Sequence, residues 1–186
     1  VLMRIFLRRG IESPEQLEEI GINVYASIPV SEWLSKSNRK SNSLHKNQSD
    51  TLLVVENPAD LAVEAIRSLR TSLHFAMMEA RNNVLMISGA SPNAGKTFIS
   101  SNLAAIIALT GKKVLFIDSD LRKGYVHKMF GRKQDKGLSE ILSGQVATES
   151  VIEKVTGGEF DYIGRGQIPP NPAELLMHPR FEHLLT

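Results

Sequence analysis

An α/β domain built on a parallel sheet is the fold class the sequence predicts, and three observations predict it. An apolar run, Val84 to Ile87, leads into a Gly/Ser/Pro/Asn loop, Gly89 to Gly95. Lys96-Thr97 follow, and then Phe98, Leu103, Ile106 and Ile107 recur at helical spacing. A second apolar run, Val114 to Ile117, ends in Asp118-Ser119-Asp120. Strand, loop, helix and second strand in that order is the alternation that builds parallel sheets.

The loop carries the chemistry. Backbone N–H groups at the start of a helix point at bound phosphate, and the helix dipole favours negative charge there. Gly95 lets the chain turn close to a nucleotide without a Cβ in the way. Lys96 is placed for the β- and γ-phosphates, and the Thr97 hydroxyl for magnesium. This is the layout of a P-loop (Walker A) nucleotide-binding domain. Its candidates are Ala90, Ser91, Pro92, Asn93, Ala94, Gly95, Lys96, Thr97 and Phe98. Counting back from Gly95-Lys96-Thr97, the strict motif's first glycine is Ala90, with a glycine one place earlier at Gly89. Alanine serves there provided that position needs no positive φ. A chance Gly-Lys-Thr at a helix start is the bland alternative, and the flanking strand and helix argue against it.

Asp118 and Asp120 lie just past the carboxyl end of a strand, where open α/β sheets bind ligands. A magnesium-nucleotide site needs such carboxylates, to hold the metal's water shell and to accept a proton from a nucleophile. A hydrogen-bonded pair of loop aspartates is the structural alternative.

Composition narrows the rest. A chain of 186 residues, 42% hydrophobic and 23% charged, has enough material for a buried core. It has no cysteine, so no disulfide framework and no thiolate metal site. A net charge of +2 is too small to argue for nucleic acid. No apolar run approaches a membrane span. The opening VLMRIFLRRG pairs an apolar run with Arg4, Arg8 and Arg9. It reads as an amphipathic helix start or as the cytoplasmic flank of an upstream membrane helix.

Taken in order, residues 11 to 22 read as a short helix and Asn23 to Ile28 as a strand. Residues 31 to 50, rich in Ser, Asn and Lys, read as a mobile linker. Leu52 to Val55 reads as an edge strand. Asn57-Pro58 opens a helix over about 59 to 80, with Leu61, Ile66, Leu69, Leu73 and Phe75 as buried candidates. Glu64, Arg67 and Arg70, three apart, share one face of that helix, and from spacing alone this is a solvated charged face. Residues 137 to 144 read as a short helix ended by Gly144, and Phe160 to Ile163 as a third strand. Asn171 and Pro172 suit the cap and first position of a helix. No apolar run ending in Asp follows Ile163, so the domain is expected to be incomplete at its C-terminus, without a second magnesium-side carboxylate.

At this point the residues resemble a known family, the bacterial tyrosine kinases of the polysaccharide co-polymerase type, the Wzc/Etk kind. The resemblance covers nearly the whole chain. Its marks, in family order, are EAIRSLRTSL ahead of the phosphate loop, ASPNAGKT with Pro92 inside it, VLFIDSDLRKGYVH and GRGQIPPNPAELL. It implies a juxtamembrane segment at 1–30, a linker at 31–50 and the N-terminal part of a kinase domain at 51–186, before the Walker B motif and tyrosine tail. The implied activity is ATP- and Mg2+-dependent tyrosine autophosphorylation that regulates capsule or exopolysaccharide polymerisation and export. The implied location is the cytoplasmic face of the inner membrane. Lys96 and Asp118 would be catalytic, Asp118 as base, with Thr97 and Asp120 on magnesium; the two aspartate roles could be exchanged. Glu64, Arg67 and Arg70 match the family's oligomerisation motif, which assembles a homo-oligomeric ring whose subunits offer tyrosine tails to one another. A phosphotyrosine phosphatase and polysaccharide export machinery are the other implied partners. From the residues alone, Tyr125 would pack its ring on the core with its hydroxyl in water. The resemblance makes it an internal phosphorylation site that blocks the active site until modified, then held by Arg165. Two other readings stay open: a regulatory ATPase of the ParA/MinD type, disfavoured because Ala90 to Ala94 holds no lysine, and a non-kinase co-polymerase scaffold.

Overall fold

The computed structural model of the protein describes residue 11 and residues 13–35, 52–92, 94–133 and 135–186. The arginine-bearing start, most of the expected linker, and Asn93 of the phosphate loop lie outside the described residues. Among the described residues no helix is long and apolar enough to cross a membrane.

The elements in chain order are α1 (Glu15–Glu18), α2 (Leu53–Glu56), α3 (Leu61–Met77), α4 (Lys96–Ala108), β1 (Leu115–Ile117), α5 (Val126–Met129), α6 (Leu138–Leu142), β2 (Glu153–Val155), β3 (Phe160–Ile163), α7 (Pro172–Leu176) and α8 (Pro179–Leu185). The three strands form one sheet in the order β1-β3-β2. β1 runs parallel to β3 with Phe116 opposite Tyr162, while β2 runs antiparallel to β3 with Lys154 opposite Asp161. The expected parallel arrangement thus holds for β1 and β3, and β2, unforeseen, makes the sheet mixed. Alternation along β3 sends Phe160 and Tyr162 into one core and Ile163 into another.

The larger core lies between the sheet and helices α3 and α4. Val63 and Ile66 of α3 and Leu103 and Ile106 of α4 are buried in it. Fully burying such side chains contributes about 1.5–3 kcal/mol each. Phe116, Phe130, Phe160 and Tyr162 add an aromatic cluster, in which Phe130 and Tyr162 meet edge to face at 5.2 Å. The second core gathers Leu121, Leu138, Leu142 and Ile163, with Phe181 and Leu184 of α8 against it.

Several local expectations are corrected. Val84 to Ile87 forms no strand and joins no sheet, and Met86 is 84% exposed. An apolar run becomes a buried strand only where another backbone answers its N–H and C=O groups, and no described strand does so. Leu52 to Val55 is not an edge strand. It leads into the helical turn α2, where Leu52, Leu53 and Val54 are buried and the Val54 N–H donates to Asn102 Oδ1 of α4 at 2.9 Å. Residues 23–28 form no strand, and Ile28 packs on the larger core.

Residues 31–35, expected to begin the linker, also pack. Leu34 meets the core, and the buried Ser31 hydroxyl donates to Asp60 Oδ2 at 2.6 Å. Asp60 itself caps α3, accepting from the Ala62 N–H at 2.9 Å, so the helix starts at Leu61 rather than beside Pro58. Of its expected core residues Ile66 is buried, whereas Leu61 and Phe75 face out at 76% and 66% exposed.

Candidate active site

The phosphate loop is built as its residues dictate. Gly95 sits at φ 84°, the left-handed region that favours glycine, and opens α4. Gly89 has a different reason: a Cβ there would lie 2.9 Å from Lys96 Cγ and Cδ, so the lysine stem folds across bare backbone. Ala90 needs no positive φ, so alanine is tolerated at the motif's first position. Lys96 and Thr97 form the first turn of α4, and the Thr97 carbonyl, not its hydroxyl, is engaged, by Ser101 Oγ at 2.7 Å. Ser91, Pro92 and Ala94 are exposed in the loop, and Phe98 packs against the larger core.

Asp118 stands just after β1, its N–H donating to the Ile163 carbonyl at 3.0 Å. Only 5% of it is exposed. Oδ1 accepts from the Asp120 N–H at 3.2 Å, and Oδ2 has no partner. Burial, reinforced by the Asp120 charge, pushes the carboxyl up to about 6, against opposing contributions from backbone N–H groups and Arg165. Asp120 is exposed, and its Oδ1 accepts from the Lys123 N–H at 2.9 Å. One carboxylate is thus buried and proton-hungry while its neighbour is wet, an asymmetry that suits a base beside a metal-side group.

ATP and Mg2+ fit these residues. The glycine-opened helix start and the Lys96 ammonium match phosphate, and the orphaned Asp118 Oδ2 is free for a metal-bound water. Among the described residues no cluster of three metal-ligating side chains occurs. A metal here would therefore draw on Thr97, one carboxylate, water and phosphate oxygens, which is how magnesium is usually held.

Beside Asp118 lie Gly124, which the sequence analysis missed, and Arg165, which it paired with Tyr125. Gly124 is pressed against the aspartate: a Cβ there would lie 2.6 Å from Asp118 Oδ2 and 2.8 Å from Arg165 Cδ. Tyr125, next along, is 53% exposed, and Arg165 is 7% exposed with Nε and Nη1 unpartnered. His127 and Tyr162 are buried nearby and were not singled out. Burial, with Arg165 and Lys128 at hand, holds the His127 imidazole below its usual range. Burial first, then the Asp118 charge, pushes the Tyr162 phenol above its own. A tyrosine and a histidine each between two apolar or charged neighbours, in EFDYI and YVHKMF, were the available signals.

Glu64, Arg67 and Arg70 lie along the outer face of α3, as their spacing required. Arg67 pairs with Glu64 and also donates to the Pro58 carbonyl at 3.1 Å. Both are accessible to solvent, as is part of Arg70.

No family model matches the chain. Among curated proteins it is 65% identical over 187 residues to a putative tyrosine-protein kinase in the cps region of Klebsiella pneumoniae. It is 56% identical over 192 residues to the tyrosine-protein kinase etk of Escherichia coli K12. Each match takes in all of this chain but 26% of the relative, so the chain spans about a quarter of their length. Among solved structures, the kinase domain of Escherichia coli tyrosine kinase ETK superposes with a TM-score of 0.87 at 58% identity, over 95% of this chain and 68% of that one. The BceF tyrosine kinase domain does so at 0.83 and 38%, over 95% and 71%. With more than two thirds of two solved kinase domains overlaid, one of them at 58% identity, the chain belongs to the family of bacterial tyrosine kinases that includes Etk.

Proposed function

We propose that this chain is the nucleotide-binding part of an ATP- and Mg2+-dependent protein-tyrosine kinase that phosphorylates itself and regulates capsule or exopolysaccharide polymerisation and export. The observation that carries the reading is the buried Asp118 carboxylate, one oxygen unpartnered, just past β1, the strand that follows the Lys96 helix in the chain. When bound, ATP supplies the transferable phosphoryl group and Mg2+ offsets its charge. Lys96 would neutralise phosphate oxygens, Thr97 and Asp120 would hold the metal, and Asp118 would take the proton of the acceptor tyrosine. With a carboxyl at about 6, Asp118 is mostly ionised at neutral pH and can act as base.

The assembly reading follows the same family. Glu64, Arg67 and Arg70 would form an interface in a ring of subunits that present tyrosine tails to one another, at the cytoplasmic face of the inner membrane. A phosphatase and the export machinery would be its partners. Their exposure on one helix face supports this. Tyr125 would gate the site: phosphate adds close to two charges, which the Arg165 guanidinium can hold. The unmet donors of Arg165 and the exposure of Tyr125 support that role. The test is labelled ATP given to a version extended to the length of the solved kinase domains. Phosphotyrosine supports the proposal, and release of inorganic phosphate without phosphotyrosine sinks it.

A further inference from the structure

The chain holds three tyrosines, at 25, 125 and 162. Tyr162 is buried at 2% exposed, and Tyr125 is the gate proposed above. Tyr25 is 49% exposed and lies along α3, where its carbonyl accepts from the Ser72 hydroxyl at 3.3 Å. In a protein that phosphorylates tyrosine, an accessible phenol outside the catalytic machinery is a candidate acceptor.

The backbone around Tyr25 is free to yield. Residues 23–30 belong to no helix or strand, and among the described residues they make no backbone–backbone hydrogen bond. Burial alternates along them: Val24, Ala26 and Ile28 are half-buried, and Tyr25 and Ser27 between them are exposed. The inward side chains hold the segment down, Ile28 on the larger core. The firm anchor is further on, where the buried Ser31 hydroxyl donates to Asp60 Oδ2 at 2.6 Å. A segment with so few hydrogen bonds opens locally at low cost. Pivoting on Ser31, the residues back to Tyr25 span about 20 Å when drawn out, so the phenol can leave α3 and enter an active site.

Charge supplies the recognition. Residues 11–35 include five glutamates and no lysine or arginine. Of these, Glu15, Glu18 and Glu19, just ahead of Tyr25, are exposed. Residues 122–136 include six lysines and arginines against the single Asp135. Arg122, Lys123, Lys128, Lys133 and Lys136 are exposed. This basic stretch starts just after Asp120 and contains Gly124, which is pressed against Asp118, so it rims the site of the base. A chain of net charge +2 thus keeps its acidic tyrosine segment and its basic site rim apart in sequence. Complementary patches of this kind steer encounter and fix register.

We propose that Tyr25 is a further self-phosphorylation site, its acidic flank received by the basic rim around Asp118. The inference rests on the kinase reading above. The Tyr25 phenolic oxygen bonds to the γ-phosphorus of ATP, the bond from that phosphorus to the β–γ bridging oxygen breaks, and ADP leaves. The phenolic proton passes to the Asp118 carboxylate.

The experiment uses the version extended to the length of the solved kinase domains, incubated with ATP and Mg2+, with phosphotyrosine located by mass spectrometry of its peptides. The expected result is phosphate on the Tyr25 peptide in wild-type protein, none there in Lys96→Met protein, and none on buried Tyr162. Tyr25→Phe loses that signal and keeps phosphotyrosine elsewhere. Changing Glu15, Glu18 and Glu19 together to glutamine slows labelling of Tyr25 about fivefold at low salt, as the loss of a few exposed ion pairs would, and leaves other sites unchanged. High salt removes the difference. Phosphotyrosine elsewhere in the protein with none at Tyr25 overturns the proposal and leaves the kinase reading standing, whereas no phosphotyrosine anywhere sinks both. Equal labelling of Tyr25 and Tyr162 also overturns it, because it reports an unfolded chain. A Tyr25 rate unchanged in the glutamine variant overturns recognition by charge.

Discussion

Replacing Asp118 by asparagine should raise the stability of the protein while ending phosphoryl transfer. The carboxyl titrates near 6 in the fold against an ordinary 3.8. Two units of difference correspond to about 3 kcal/mol between the protonation states. The sign follows from the raised value. The folded protein binds this proton more tightly than the unfolded chain does, so Asp118 favours folding below pH 4. That advantage is lost as pH rises from about 4 through about 6. Above that window the ionised, buried carboxylate is a standing penalty. Asparagine keeps the oxygen that accepts from the Asp120 N–H at 3.2 Å and carries no charge. In EDTA at pH 7.5, urea unfolding should show Asp118→Asn more stable by about 1–3 kcal/mol. A thermal shift upward by a few degrees should accompany it. The gain should vanish near pH 4, where the wild-type residue is itself protonated. An asparagine variant no more stable than wild type at pH 7.5, or a gain independent of pH, would refute the claim that Asp118 is a desolvated base.

Gly95→Ala meets no steric obstacle, since its Cβ would find only Ile99 Cδ1 at 3.9 Å, but φ 84° costs about 1–2 kcal/mol for a residue with a side chain. Denaturant unfolding should show that loss, together with weaker ATP binding by fluorescence titration; an unchanged midpoint contradicts it. Changing Glu64, Arg67 and Arg70 together to alanine should leave the fold within about 1 kcal/mol, because exposed ion pairs contribute little. It should also turn assemblies into monomers by sedimentation, and equal assembly of variant and wild type sinks the interface. In an extended kinase domain, Tyr125→Phe should stay largely blocked and Arg165→Ala should stay impaired even when Tyr125 is phosphorylated. Wild-type rates for both on a tyrosine polymer eliminate the gate.

The helix start at Gly95 and the strand end before Asp118 were legible because their requirements are local. Glycine at positive φ, lysine and threonine at a helix start, and aspartates at a strand end are set by neighbours in sequence. Whatever depends on distant backbone was not. Val84 to Ile87 has a strand's composition, but a strand exists only when paired, and pairing is not a property of the run. Leu52 to Val55 reads equally well as strand or helix by its apolar character. Its helical turn is fixed by Asn102, forty-eight residues on. The Ser31–Asp60 hydrogen bond likewise turns a polar, linker-like stretch into packed structure. His127 and Tyr162 sat unnoticed because only β3 and α5, distant in sequence, bring them to Arg165.

The most direct test of the central claim is phosphotyrosine formation from labelled ATP and Mg2+, in a version extended to the length of the solved kinase domains, with and without Lys96→Met. Wild-type protein should label on tyrosine, and the folded Lys96→Met protein should not, because the transferring phosphoryl group loses the cation that neutralises it. Equal labelling of the two proteins, or no tyrosine label on the wild type, would contradict the assignment of this loop to a tyrosine kinase.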